Sequence, residues 1–485
     1  MQSGVNPRPH PTRAADAGLA RVTPLESASL RGMPQGSEPV QKSGRRIVAV
    51  DVLRGLVLMI LLPDLAGGFS FYEMADKNPS HWAWAPLAAQ FQHVAWSGVA
   101  LWDLVMPLFV FLVGVSMALS AEQRRNAGHS PHHRLVHAIL RGATLVVLGL
   151  SLQLGVQTRI DELLPYLVLT SGLPVVEWWA RAMRRDRAQV EPAASTMASS
   201  IYTIFVLCMA IAWMGAHVER LGDYQLGNQI LVLMGLAYFP AYLLLGCRFG
   251  TQVMAIIVLL TGYALLFVMY TPAPQQAPPG DALTGLFAHW NNGNNVAAAF
   301  DRWFLNLLPR QTAYVGNAHG YHTLQFVPLI ANMLMGAMVG CALVRAKDLG
   351  RLALRLAGLG LAGLALGTLL GATLVPLVKS LWTSSWAIFS MASCVVMLAA
   401  VLYLFRRPER ASLGAPWAVL GTNSMLLYVI ADTERWRILV WWRSFLDIEL
   451  VASLSWRPLL QSCLVLLTLW VLAYVLYRRR IFVRI

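Results

Sequence analysis

Charge is scarce in this chain. Only 13% of its 485 residues are Asp, Glu, Lys or Arg against 57% that are hydrophobic, and apolar runs of roughly twenty residues recur at the length that crosses a hydrocarbon core. An ordinary soluble domain is excluded. Cysteine is scarce too: the five (Cys208, Cys247, Cys341, Cys394 and Cys463) all fall within or at the ends of apolar segments. No extracytoplasmic loop holds a pair to oxidise, which argues against structural disulfides. The ten-residue alternation of a transmembrane barrel is missing, since segments such as Thr251 to Tyr270 are apolar on nearly every face. No strand is legible, so no glycine-rich phosphate cradle has one to follow. His129, His132, His133 and His137 lie in or beside a short Arg-containing loop without Cys, and no metal site is predicted there.

The chain does contain about twelve candidate spans. They lie near Ile47 to Gly67, Val99 to Leu119, Leu135 to Val156, Leu163 to Trp179, Ser200 to Val218, Gln229 to Gly246 and Thr251 to Tyr270. Five more follow near Leu324 to Val344, Leu352 to Leu374, Trp382 to Phe405, Trp417 to Ala431 and Leu459 to Tyr477. The fold class is therefore all-α and polytopic, about 10–12 transmembrane helices around a central polar pore. Whether both 163–179 and 200–218 cross is left open.

Residues 1–46 are rich in Pro, Ser, Gly and Arg, with no apolar run and no secretory signal. They read as a disordered basic cytoplasmic tail ahead of a 47–480 membrane domain. The formal net charge of +14 sits mostly in short loops, where the positive-inside rule accounts for it, so no nucleic-acid partner is expected. That rule places Arg124, Arg125, Arg134, Arg345 and Arg478 with both termini in the cytoplasm, and the chain in a cell membrane, inner or plasma. The 68–98 and 271–323 loops fall on the far side.

Polar residues at membrane depth are costly unless used. His93 stands at the mouth of the second span, with Asp103 and Pro107 beyond it. A proline ring clashes with the carbonyl four residues back, so the pattern predicts a bend at Asp103 that opens a polar notch below His93. Asp103 then caps the broken turn, orients the imidazole or stabilises its charged form. Asp64, at the end of the first span, either orients an acceptor or marks the exit from the bilayer. Asp51 and Arg54 share one helical face; they are a structural ion pair, or Arg54 with Arg45 and Arg46 receives the phosphates of an anionic donor. Asn332, Lys379 with Thr383, and Asn423 with Ser424 either bind helix to helix or line a cavity, the first three toward the acceptor and the last two toward the donor. Trp96 is either an interfacial anchor or a sugar-stacking surface.

At these residues the chain resembles a family. Val50 to Leu56, His93-Val94-Ala95-Trp96-Ser97-Gly98, Asp103 to Pro107 and Phe111 to Ser116 look like segments of the heparan-α-glucosaminide N-acetyltransferase family. Phe300 to Phe304, Tyr321 to Pro328, Leu381 to Thr383 and Gly421 to Ser424 follow in the same order. The resemblance implies acetyl transfer from cytoplasmic acetyl-CoA, as cosubstrate, to a sugar or glycan acceptor on the far side of the lipid bilayer. His93 would act as base or acyl carrier. Pro63-Asp64 and Met234-Gly235 depart from the family pattern at positions tied to acceptor and donor. The other reading of buried polar groups among many spans is a glycan or lipid-linked sugar transporter, although no motif is duplicated between the halves. Many apolar faces leave a homodimer open.

Overall fold

The computed structural model of the chain describes residues 47–63, 69–155, 225–271, 282–308, 310, 312–446 and 454–482. Asp64 and the expected spans at 163–179 and 200–218 lie outside the described residues.

Long apolar runs give helices because a backbone in hydrocarbon must satisfy its own N–H and C=O groups. The helices are α1 (Val48–Leu61), α2 (Phe71–Lys77), α3 (Trp84–Gln90), α4 (Val105–Asn126), α5 (Pro131–Gly155), α6 (Ile230–Leu245), α7 (Phe249–Met269) and α8 (Val296–Phe304). There follow α9 (Phe326–Arg345), α10 (Leu349–Thr373), α11 (Ser384–Leu404), α12 (Pro408–Ala411), α13 (Ala415–Thr422), α14 (Ser424–Leu446) and α15 (Arg457–Arg478). Among the described residues no strand occurs, and seven helices are long and apolar enough to cross a membrane. The broken pair α13–α14 makes an eighth if it is one span. This is an all-α polytopic membrane protein.

Without a water-driven hydrophobic effect between spans, close packing at small residues holds helices together. α4 meets α9 at Gly114, Gly336 and Gly340, where a Cβ on any of the three would collide with the backbone of the partner helix. Gly336 and Gly340 form a small-xxx-small step. α1 crosses α13 in the same way at Gly55 and Gly421. The outer helices α7 and α10 expose rows of leucine, among them Leu354, Leu361 and Leu369, the face expected toward lipid.

Two expectations are corrected. Pro107 does not bend the second span: Trp102–Leu104 is a 3-10 turn and α4 begins at Val105, so Pro107 sits in the first turn, where a missing N–H costs nothing. Asp103 therefore stands at the helix entrance and not a turn or two inside it. The eleventh span does not run straight through Asn423 either; α13 and α14 meet there at 62° and α14 continues to Leu446.

Candidate active site

Three titratable groups from separate stretches converge at the entrance of α4. Asp103 Oδ1 lies 2.7 Å from His93 Nδ1 and 3.2 Å from Lys379 Nζ, and Lys379 Nζ is 3.0 Å from His93 Nδ1. The carboxylate is fully buried and the ammonium nearly so, whereas the His93 side chain keeps 49% of its surface open. The shorter contact, with Asp103, selects the tautomer. Were Nδ1 unprotonated, its lone pair would face a carboxylate oxygen at 2.7 Å, so Nδ1 carries the proton and donates to Asp103. Lys379 then donates to the same carboxylate and neutralises it. The lone pair of Nε2 is left on the far edge of a half-exposed ring, free to take a proton or an acyl group.

Each member is fixed by its own element. The backbone N–H of Val94 reaches Asp103 Oδ2 at 3.4 Å, tying the His93 loop to the α4 entrance. Trp96 donates through Nε1 to the Trp290 carbonyl at 3.0 Å, and its ring fills the space beside Gly320 where a side chain would otherwise sit. Glycine is required there twice over, because Gly320 has φ of 71°.

Lys379 rides on the α10–α11 loop, which is held from several sides. Thr383 donates to the Pro376 carbonyl at 2.7 Å and accepts from Val378 N–H at 3.2 Å, and Ser385 donates to Pro376 at 3.0 Å. Gly98 N–H donates to the Leu377 carbonyl at 2.9 Å, Tyr263 OH to that of Leu381 at 2.8 Å, and Gln325 to that of Ser380. Within this frame Trp382 adopts φ of 51°. A bulky residue in that region costs on the order of 1–2 kcal/mol and persists where surrounding contacts over-determine it, as they do at functional sites.

The predicted site residues separate into two sets. His93, Asp103 and Lys379 come together, with Trp96 and Thr383 as their supports. Asp51 and Arg54 pair at 3.3 Å on α1, and Arg54 also donates to Ser116 on α4. Asn423 is buried and donates to the Ile481 carbonyl at 3.1 Å, and Ser424 opens α14 beyond the 62° break. Asn332 is fully buried on α9, and neither polar atom of its side chain has a partner. The same holds for Nε1 of Trp382 and of Trp386.

A second His–Asp pair escapes reading from sequence. His322 Nδ1 lies 3.1 Å from Asp301 Oδ2, both buried, and Thr323 N–H donates to the same carboxylate at 3.0 Å. His322 Nε2 is left buried without a partner. The neighbouring Tyr321 ring faces Lys379 Nζ at 6.0 Å, close enough for a cation–π contact, so the two pairs are adjacent in the chain's packing. Burial, with the Asp301 charge second, pushes the Tyr314 hydroxyl up to about 12. Asp301 and His322 each stand in a segment with family resemblance, but nothing local to either says that they touch.

No family model matches the chain. It is similar to human heparan-alpha-glucosaminide N-acetyltransferase, 23% identical over 462 residues that cover 91% of this chain and 60% of that protein. Similarity to the mouse protein of the same name is 25% identity over 492 residues, 94% of this chain and 64% of the other. The chain thus spans about three-fifths of the length of the curated relatives it matches. Similarity over 91% and 94% of its length makes this chain a distant relative of the heparan-alpha-glucosaminide N-acetyltransferases.

Proposed function

We propose that this protein is a membrane acetyltransferase, moving an acetyl group from acetyl-CoA to a sugar or glycan acceptor on the opposite side of the bilayer. The observation that carries the reading is the His93–Asp103–Lys379 triad, with a buried, neutralised carboxylate behind an imidazole whose Nε2 is open. In the direct route Nε2 takes the proton of the acceptor amine or hydroxyl as that atom attacks the thioester carbonyl. The C–S bond then breaks, and the imidazolium returns the proton to the leaving thiolate. In the covalent route Nε2 itself attacks the thioester carbonyl, the C–S bond breaks and CoA leaves as the thiolate; the acceptor then attacks the acetyl-imidazole, the N–C bond breaks, and the freed Nε2 takes the acceptor's proton.

Asp103 serves both routes by fixing the tautomer and meeting the charge on the ring. Lys379 keeps that carboxylate ionised and in place. Trp96, three residues along the chain from His93, is the acceptor-stacking candidate, and unpartnered Asn332 is a buried group that a substrate could engage. The test uses the purified full chain with acetyl-CoA and glucosamine. His93→Ala is expected to lower turnover by about 10²-fold or more, and an undiminished rate would refute the reading. Labelled acetyl-CoA given without acceptor separates the routes, since only the covalent one leaves label on the protein.

A further inference from the structure

Seven aromatic rings form an unbroken row from the exposed surface to the reacting imidazole. Trp82, 85% exposed, stacks on His81 with ring centres 6.2 Å apart, and His81 meets Trp84 at 5.5 Å. Trp84 stacks on Phe71 at 6.2 Å, Phe71 meets Phe91 edge-on at 4.8 Å, and Phe91 lies 6.2 Å from Trp102. The His93 ring closes the row, 6.4 Å from that of Trp102. Burial falls steadily outward, from a buried Trp102 through half-buried Phe91, Phe71 and Trp84 to exposed His81 and Trp82. The elements that carry the row are held in place. Ser70 Oγ meets Ser462 Oγ at 2.8 Å, tying the start of α2 to α15, and the Gln90 side chain at the end of α3 accepts from Leu101 N–H at 3.2 Å, tying α3 to the turn that carries Asp103. His81 Nδ1 accepts from Ala83 N–H at 3.3 Å, which leaves Nε2 as a donor beside the rings.

An interfacial anchor needs a ring at headgroup level, whereas this row ends on the group that does the chemistry. Aromatic faces are negative and draw the weakly positive C–H face of a sugar, and they draw an ammonium group more strongly. Successive rings then suit successive sugars. Charge narrows the ligand further: within residues 69–104 Lys77 is the single Lys or Arg, against Glu73, Asp76 and Asp103, and Lys379 is committed to Asp103. Sulfate and phosphate groups are held by guanidinium forks or ammonium groups, and this segment has no Arg. We propose that the row is a docking surface for an unsulfated amino-sugar oligosaccharide, which lies along Trp82, Trp84 and Phe71 and presents its terminal amine at His93. The proposal rests on the acetyltransferase reading and narrows its acceptor from a single sugar to a chain without anionic groups.

The experiment gives the purified full chain glucosamine, a β-linked glucosamine tetramer and the O-sulfated tetramer, and reads calorimetric binding without donor and KM with acetyl-CoA. Wild type is expected to favour the tetramer over glucosamine by about tenfold in both readouts, and sulfation to remove that advantage. Trp82→Ala and Trp84→Ala are each expected to bring the ratio toward one, and Trp82→Phe, which keeps an aromatic face, to preserve most of it. Equal binding of glucosamine and tetramer by wild type, a ratio that survives both Ala variants, or a preference for the sulfated tetramer overturns the surface, and acetylation of glucosamine then leaves the enzyme reading intact. Tetramer binding that follows the variants without any acetyl transfer means that the surface stands and the acetyltransferase reading falls. Fluorescence quenching by brominated lipid that drops in Trp82→Ala while the tetramer ratio does not makes Trp82 a membrane anchor and overturns the proposal. If Trp84→Ala does not fold, Trp82→Ala decides, because that ring is the most exposed of the row.

Discussion

Lys379 is the residue that makes a buried Asp103 affordable. Removing one partner of a buried ion pair leaves an uncompensated charge and costs about 3–5 kcal/mol, so Lys379→Met is expected to destabilise the protein on that scale. Asp103→Asn/Lys379→Met removes both charges and is expected to recover at least about 1 kcal/mol through coupling. Thermal melts of the three variants check this, and additive losses would break the claimed pair. Asp103→Asn alone keeps the shape but leaves Lys379 uncompensated and trades an obligate acceptor for an amide that no longer fixes the Nδ1 proton, so turnover per folded molecule is expected to fall by about 10²–10⁴-fold beyond any loss of stability. A third residue reports on the second pair. Burial raises the Tyr314 hydroxyl from 10.0 to about 12. An unfolded Tyr ionises first as pH rises, so the native state loses the Tyr314 contribution between pH 10 and 12 and keeps it fully below 10. Tyr314→Phe is therefore expected to narrow the drop in melting temperature over that window, and an unchanged slope would contradict the burial.

The α10–α11 loop shows how an element with little regular structure can be rigid. Its carbonyls and amides are met by Thr383, Ser385, Gly98, Tyr263 and Gln325, and a buried backbone group deprived of its partner costs about 1–3 kcal/mol. Thr383→Val strands the Val378 N–H and leaves the Pro376 carbonyl to Ser385 alone. It is expected to lower stability by that amount and turnover with it, and Thr383→Ser, which keeps the hydroxyl, to restore both. Equal damage from Val and Ser would show that shape and not the hydrogen bonds holds Lys379. Much of this scale was readable beforehand. Helix type and order follow from apolar run length, and His93, Trp96 and Asp103 stand out because they share a short stretch. Helix entrances were harder. Pro107 reads equally as a kink or as a first-turn residue until the 3-10 turn at Trp102–Leu104 is known. Lys379 stood out as a polar group at a span mouth, but its meeting with His93 bridges 286 residues of chain and is decided by helix packing alone. The α13–α14 break falls at Asn423, whose meeting with the Ile481 carbonyl is likewise decided by packing between residues far apart in the chain.

At the scale of the molecule, the helices sort chemistry to two poles. α4, α9 and α11 start beside the triad and end at Arg124, Arg345 and Arg406, and α15 starts where Ser462 meets Ser70 and ends at Arg478. Basic residues gather on the cytoplasmic face of polytopic proteins because Lys and Arg resist translocation. On the proposed function the triad faces the other compartment, and donor and acceptor are expected to be usable from opposite sides only. Proteoliposomes with one fixed orientation test this directly. Acetyl-CoA on the Arg124 side and glucosamine on the His93 side are expected to give N-acetylglucosamine. Both substrates on the His93 side should give none, because on the proposed function the donor enters from the Arg124 side, across about 30 Å of hydrocarbon. Turnover with everything on the His93 side would mean that the donor enters beside the imidazole, and a transmembrane path for the acyl arm would no longer be needed.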